Sequence, residues 1–201
     1  MTDFAACDLA TVYPAPSPRV VAKARPEIDV HAKKFIAMSP FCVLATSGKD
    51  GSVDASPRGG NPGFIHVAGA NLLLMPDRSG NNPIDSFRNI VEASGFVQLI
   101  FFVPGIDETL RVGGKGKLSA DPDLMASMVE FGKLPRAVLS ISVHEAYFHC
   151  GKALMRSKLW SADTKVERAV MPSIGEVIHD QTGLGEPESQ DVIYERYKTQ
   201  L

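Results

Sequence analysis

The chain has few cysteines: three in 201 residues, Cys7, Cys42 and Cys150, odd in number and far apart. No Cys-x-x-Cys pair occurs, which excludes a locally encoded zinc knuckle or dithiol redox pair. Thiols scattered in this way read as small buried hydrophobes in a reducing compartment. Charge of one sign is also missing. Against 21 Lys and Arg stand 23 Asp and Glu, a formal net charge of -2, so no global attraction to nucleic acid or to an anionic membrane follows. The most apolar run, 96–103, is too short to span a bilayer and contains Gln98. The opening Met1-Thr2-Asp3-Phe4 carries an early acid and no apolar stretch, so no secretory signal is expected. The expectation is a cytoplasmic protein with a small-molecule substrate and neither a membrane nor a nucleic-acid partner.

The usual catalytic signatures are absent too. No Gly-Lys is followed by Ser or Thr, no Gly-rich fingerprint opens a helix, and neither His-Glu-x-x-His nor Gly-x-Ser-x-Gly occurs. The run Gly113-Gly114-Lys115-Gly116-Lys117 resembles a phosphate loop but falls inside a strand pattern, where glycine marks a bend or a close approach. His144 and His149 lie an odd number of residues apart on an expected strand, which would send them to opposite faces. No metal site is expected.

What is present is an ordinary globular composition: 44% apolar residues, 22% charged, 17 Gly and 14 Pro. That content supports one domain with a real core. Residues 1–29 read as an arm with a short helix, and 30–38 have helical spacing stopped by Pro40. Two hairpins follow, 41–46 with 52–58 around Lys49-Asp50-Gly51, and 64–67 with 72–75 around Gly69-Ala70-Asn71. A helix is expected over 81–94, with Asn82 as cap and Pro83 in its first turn. Strands resume at 96–103 and 110–118, a helix capped by Asp121 covers 121–131, and a strand runs from 136 towards His149. Helical pieces at 174–181 and 189–198 form a C-terminal extension. About six strands in consecutive hairpins with one inserted helix predict a mainly β fold with peripheral helices, an antiparallel small barrel.

Polar clusters gather at the strand ends. Asp54-Ala55-Ser56-Pro57-Arg58-Gly59 closes one strand, and Pro76-Asp77-Arg78-Ser79-Gly80-Asn81-Asn82 leads from the next hairpin into a helix. Lys152, Arg156, Ser157 and Lys158 form a basic segment. Arg supplies forked donors to phosphate, Asn and Ser add neutral donors, and a helix start adds amides. Together such groups suit one phosphate and a polar ring.

Those same stretches, Phe41-Cys-Val-Leu-Ala-Thr-Ser-Gly-Lys-Asp-Gly, Asp54-Ala-Ser-Pro-Arg-Gly and Leu74-Met-Pro-Asp-Arg-Ser-Gly-Asn-Asn, with Asn89 before Ile90, resemble the pyridoxamine 5′-phosphate oxidase-related split-barrel flavoproteins over about residues 30–160. The resemblance implies an antiparallel split β-barrel of the FMN-binding type, spanning 1–201 as one domain with a barrel core at 30–160. It also implies a homodimer with FMN at the subunit interface, and hydride transfer between the flavin and a small substrate. Carried onto this chain, Ser56, Pro57 and Arg58 lie along the flavin. Pro76, Asp77, Arg78, Asn81 and Asn82 fall where the family binds ribityl and phosphate groups. Arg111 matches a strand position that reaches the ring, and Lys152, Ser157 and Trp160 lie in the segment near the other subunit's flavin. The chain departs from the true oxidases, whose Arg-x-Val-Leu-Leu-Lys strand and Ser-Arg-Lys phosphate set are replaced here by Asp-Ala-Ser-Pro-Arg-Gly and Gly80-Asn81-Asn82. FMN binding survives these changes better than pyridoxamine phosphate oxidation does. Two classes stay open at this point: an FMN-dependent oxidoreductase, or a flavin- or haem-holding protein using His144 or His149.

Overall fold

The computed structural model describes residues 9–78, 80 and 84–200. Two short helices, Leu9–Val12 (α1) and Pro18–Ala22 (α2), come first. Asp29 then caps Val30–Met38 (α3) by accepting from the Ala32 amide at 2.8 Å. The helix turns Ala32, Phe35 and Ile36 inward at i, i+3, i+4 spacing. Phe41–Ser47 (β1) alternates, burying Cys42, Leu44 and Thr46, and returns as Val53–Gly59 (β2). His66–Gly69 (β3) and Leu72–Pro76 (β4) form a second hairpin, followed by Asp85–Glu92 (α4). Phe96–Val103 (β5) and Ile106–Ser119 (β6) pair through a tight turn at Gly105, whose φ of 90° suits glycine. The chain continues through Pro122–Ala126 (α5), Val138–His149 (β7), Lys152–Ser157 (α6), Ile174–Thr182 (α7) and Gln190–Gln200 (α8).

All seven strands belong to one antiparallel sheet in the order β2-β1-β5-β6-β7-β4-β3. Its edges, β2 and β3, are not joined, so the sheet curls without closing: a split barrel with peripheral helices. The inner face carries Cys42, Leu44, Leu73, Met75, Leu99, Phe101, Leu110, Val112, Leu139 and Ile141, none of them solvent-exposed. Each buried side chain of Leu, Ile or Phe size contributes roughly 1.5–3 kcal/mol. Beyond Ser142, where β4 ends its pairing with β7, the N-terminal arm takes over. The Arg25 and Ala146 amides and carbonyls exchange hydrogen bonds of 3.0 and 2.7 Å.

Several expectations are corrected. Among the described residues the strands number seven, and β6 starts at Ile106 rather than 110 because the Gly105 turn pairs it with β5 at once. The helix expected over 121–131 is only α5. Asp121 does cap it, but Glu130 and Lys133 then exchange backbone hydrogen bonds in a turn whose Phe131 and Gly132 have positive φ. Helix α4 starts at Asp85 with Ile84 at the cap position, later than Pro83 would set it. Asn82 and Pro83 lie outside the described residues. His144 and His149 do not face opposite sides of the sheet as expected. Gly113 pairs with Glu145 and Gly114 with Val143, leaving His144 as the extra residue of a bulge. Glycine permits it, since a Cβ on Gly114 would stand 2.2 Å from the Ser142 carbonyl oxygen. The bulge resets the alternation: Val143 and Ala146 both enter the core, and His144 and His149 share the outward side.

Candidate functional site

Where the sheet fails to close, a cleft of about 400 Å³ lies between β2, the end of β4 and the start of α4. Strand periodicity places Asp54, Ser56 and Arg58 on one side of β2, half-buried, while Val53, Ala55, Pro57 and Gly59 are exposed. Pro57 is tolerated because β2 is an edge strand. β4 ends in Pro76 and is followed by Asp77 and Arg78; Phe64, Asp85, Ser86, Phe87 and Arg136 also belong to the polar and aromatic lining.

The hydrogen bonds along β2 and α4 have a fixed direction. Ser86 Oγ donates to an Asp54 carboxylate oxygen at 2.5 Å, so the 3.0 Å bond between Ser56 and Ser86 is donated by Ser56. Arg58 Nε in turn donates to Ser56 Oγ at 3.1 Å. The relay Arg58–Ser56–Ser86–Asp54 is polarised from cation to anion, and each bond strengthens the next. The Arg58 guanidinium also stacks on Phe87, 4.8 Å from the ring centre, and faces Asp77 at 3.8 Å. Burial lowers the Arg58 pKa against the opposing pull of Asp77, and burial pushes the Asp77 carboxyl up against Arg58, Arg136 and Arg78. Beneath them, Cys42 pairs with Arg58 across the strands, and burial pushes its thiol up to about 12. It is an inert core residue.

Arg78 lines the same cleft but its terminal nitrogens serve the loop before β7. They donate to the carbonyls of Met128 (2.7 Å) and Lys133 (3.1 Å) and face Glu130 at 3.3 Å. Glu130 also accepts from the Asn61 amide at 2.7 Å. Only Arg78 Nε is left buried without a hydrogen-bond partner among the described residues.

The remaining sequence-predicted residues lie elsewhere. Arg111 pairs with Ile100 and Tyr147 on the outer face of the sheet, opposite to the inward side that Arg58 shares with Cys42. Its Nε donates to Gln98 Oε1 at 2.9 Å, an approach allowed by Gly113, whose Cβ would strike the Gln98 amide. Lys152 opens α6 beyond the last residue of β7, Ser157 Oγ donates to the Leu154 carbonyl, and Trp160 Nε1 donates to the Ile106 carbonyl at 2.9 Å. Arg136 and Asp77 flank the other end of β7, a strand roughly 35 Å in contour at ~3.3 Å per residue. One chain therefore gathers Ser56, Pro57, Arg58, Pro76, Asp77 and Arg78 in the cleft and holds Arg111, Lys152, Ser157 and Trp160 apart from it. Asn81 and Asn82 lie outside the described residues. Ser86, Phe87 and Arg136 were missed; no local pattern announces them, because packing of α4 and the β7 approach onto β2 and β4 brings them in.

The family profile described as pyridoxamine 5′-phosphate oxidase matches residues 28–150. No curated protein sequence matches the chain. Among solved structures, a HupZ variant from Group A Streptococcus is similar at 15% identity, with 61% of this chain and 99% of that chain covered and a TM-score of 0.50. An FMN-binding protein from Syntrophomonas wolfei has 10% identity, covers 59% and 84%, and scores 0.46. A Clostridium acetobutylicum protein related to general stress protein 26, of the pyridoxinephosphate oxidase family, has 10% identity, covers 60% and 86%, and scores 0.45. At such identities the HupZ likeness is one of fold.

Proposed function

The chain belongs to the pyridoxamine 5′-phosphate oxidase family, and on that premise we propose that it is a homodimeric FMN-binding flavoprotein oxidoreductase acting on a small substrate in the cytoplasm. The observation that carries the reading is the held Arg58 guanidinium. Three independent contacts fix it in a half-buried cleft beside Arg136 and the unpartnered Arg78 Nε. A cation oriented in advance, with little side-chain freedom left to lose, suits a phosphate ester. The donor set fits the phosphate and ribityl end of FMN, with Ser56, Pro57, Pro76 and Asp77 along it.

Arg58 binds the phosphate, and the Ser56–Ser86–Asp54 relay keeps the guanidinium aimed. Arg111 and Lys152 supply positive charge near the ring, and Ser157 and Trp160 shape the segment beside it. Because Arg111 and Arg58 occupy opposite faces of one sheet, a single flavin meets both groups only when two copies contribute. Bound FMN supplies two-electron hydride chemistry, and cations near the ring favour its reduced, more negative form.

The test is to add FMN and riboflavin to the purified protein and measure affinity and retained absorption. Anaerobic mixing with NADH, NADPH and pyridoxamine phosphate follows. FMN is expected to bind much more tightly than riboflavin, and one of the donors to bleach the flavin band. A protein that binds neither flavin overturns the reading.

A further inference from the structure

On the outer face of β6 and β7, positive charge and aromatic rings converge in a cluster that the FMN reading leaves largely unused. Lys23 Nζ lies 5.2 Å from the centre of the Tyr147 ring and Arg111 Cζ 5.5 Å from it. The His149 ring lies 5.0 Å from the same tyrosine. The only acid placed against these groups among the described residues is Glu145, 4.0 Å from Arg111 Nε and partly exposed.

The members come from three elements, the N-terminal arm, β6 and β7. Lys23 comes from the arm, N-terminal to the family match, and is pinned by the Arg25–Ala146 exchange and by its own 2.8 Å bond to the Phe148 carbonyl. That bond uses one of its three donors. Arg111 is fixed through Nε by Gln98, so its two terminal nitrogens have no hydrogen-bond partner among the described residues. Burial lowers the His149 pKa, and Lys23 and Arg111 add to the effect. Like charges gathered around one ring repel, and an arriving anion relieves that repulsion.

We propose that Lys23, Arg111, Tyr147 and His149 form a binding site for an oxyanion, a carboxylate or phosphate, carried by the small substrate. The Lys23 ammonium and the Arg111 fork donate to its oxygens, and the Tyr147 and His149 rings border the body that bears it. That the oxyanion belongs to a substrate rests on the proposed flavoprotein function; the oxyanion site does not.

The experiment follows the His149 ring-proton NMR signal, assigned by its loss in His149→Gln, as inorganic phosphate is added to the full chain. Sodium chloride of matched ionic strength is the control. A saturable shift is expected with phosphate and not with chloride. Lys23→Met should weaken phosphate binding by about tenfold or more, the loss of a charge-assisted hydrogen bond, with FMN retention unchanged. Arg58→Gln, on the other face, should leave the shift intact. A shift reproduced by chloride, unaffected by Lys23→Met, or abolished by Arg58→Gln overturns the site. Repeating the titration with FMN or riboflavin present separates two sources of oxyanion. If FMN alone removes the phosphate effect, the cluster receives the flavin's own phosphate and the substrate assignment falls. If neither flavin binds, the flavoprotein reading fails while the phosphate titration still decides the site.

Discussion

Arg58 and Asp77 face each other at 3.8 Å, and each is shifted by burial in the direction that disfavours its charge. If Arg58 holds the FMN phosphate as proposed, the phosphate would replace Asp77 as its partner, and the two side chains should affect FMN in opposite senses. Arg58→Gln removes a charge-assisted hydrogen bond of roughly 1.5–3 kcal/mol. Isothermal titration should show FMN weakened by about one to two orders of magnitude and riboflavin far less; equal losses would mean that Arg58 does not touch the phosphate. Asp77→Asn should instead tighten FMN several-fold. Its stability effect has a defined sign. The folded carboxyl has a raised pKa, so its contribution is present below the ordinary Asp value and is lost as pH rises through the folded one. Wild type therefore bears a cost at neutral pH that the variant lacks. Urea melts should place Asp77→Asn level with or above wild type at pH 7, with any advantage fading in acid.

At the scale of elements, two junctions set the barrel's shape. The β6–β7 bulge depends on Gly114, where any Cβ meets backbone rather than a movable side chain. Gly114→Ala should cost about 1–3 kcal/mol or more through overpacking, read as a lowered melting temperature. The same substitution at Gly132, where a Cβ meets nothing within 4 Å but φ is 71°, should cost only about 1 kcal/mol. The second junction is the loop between α5 and β7. Arg78 ties it down through two carbonyls and Glu130, and Lys133 Nζ ties it in turn to the Thr199 carbonyl of α8. Arg78→Ala should destabilise the fold by about 2–4 kcal/mol, from several lost hydrogen bonds of about 1 kcal/mol each and the stranded Glu130 carboxylate. Denaturant melts without flavin check this, because a residue serving only the phosphate would leave them unchanged.

For the whole molecule, the decisive arrangement is that one sheet carries Arg58 inward and Arg111 outward. If one flavin contacts both, two copies must share it, and stability becomes linked to assembly. Sedimentation should then show a dimer whose dissociation on dilution is accompanied by FMN release; a stable monomer that keeps its flavin would refute the shared site. The described residues include no helix long and apolar enough to cross a membrane, and no group of three or more metal-ligating side chains.

Much of this was legible in the sequence, and for local reasons. Alternation along β2 alone aligns Asp54, Ser56 and Arg58, and a turn residue such as Gly51 sets the first hairpin. The cap at Asp121 acts within one helical turn. The motif stretches also carried the family, later matched over residues 28–150. Tertiary structure decided what depends on segments distant in the chain. Ser86 and Asp54 meet only because α4 packs beside β2, which gives the relay its direction. Arg78 reads as a phosphate ligand in sequence, yet Met128, Glu130 and Lys133 claim its terminal nitrogens. That His144 and His149 share the outward side follows from one extra residue in β7. A period of two is a rule of the local backbone, and a bulge cancels it wherever a neighbouring strand, here at Gly114, leaves room for it.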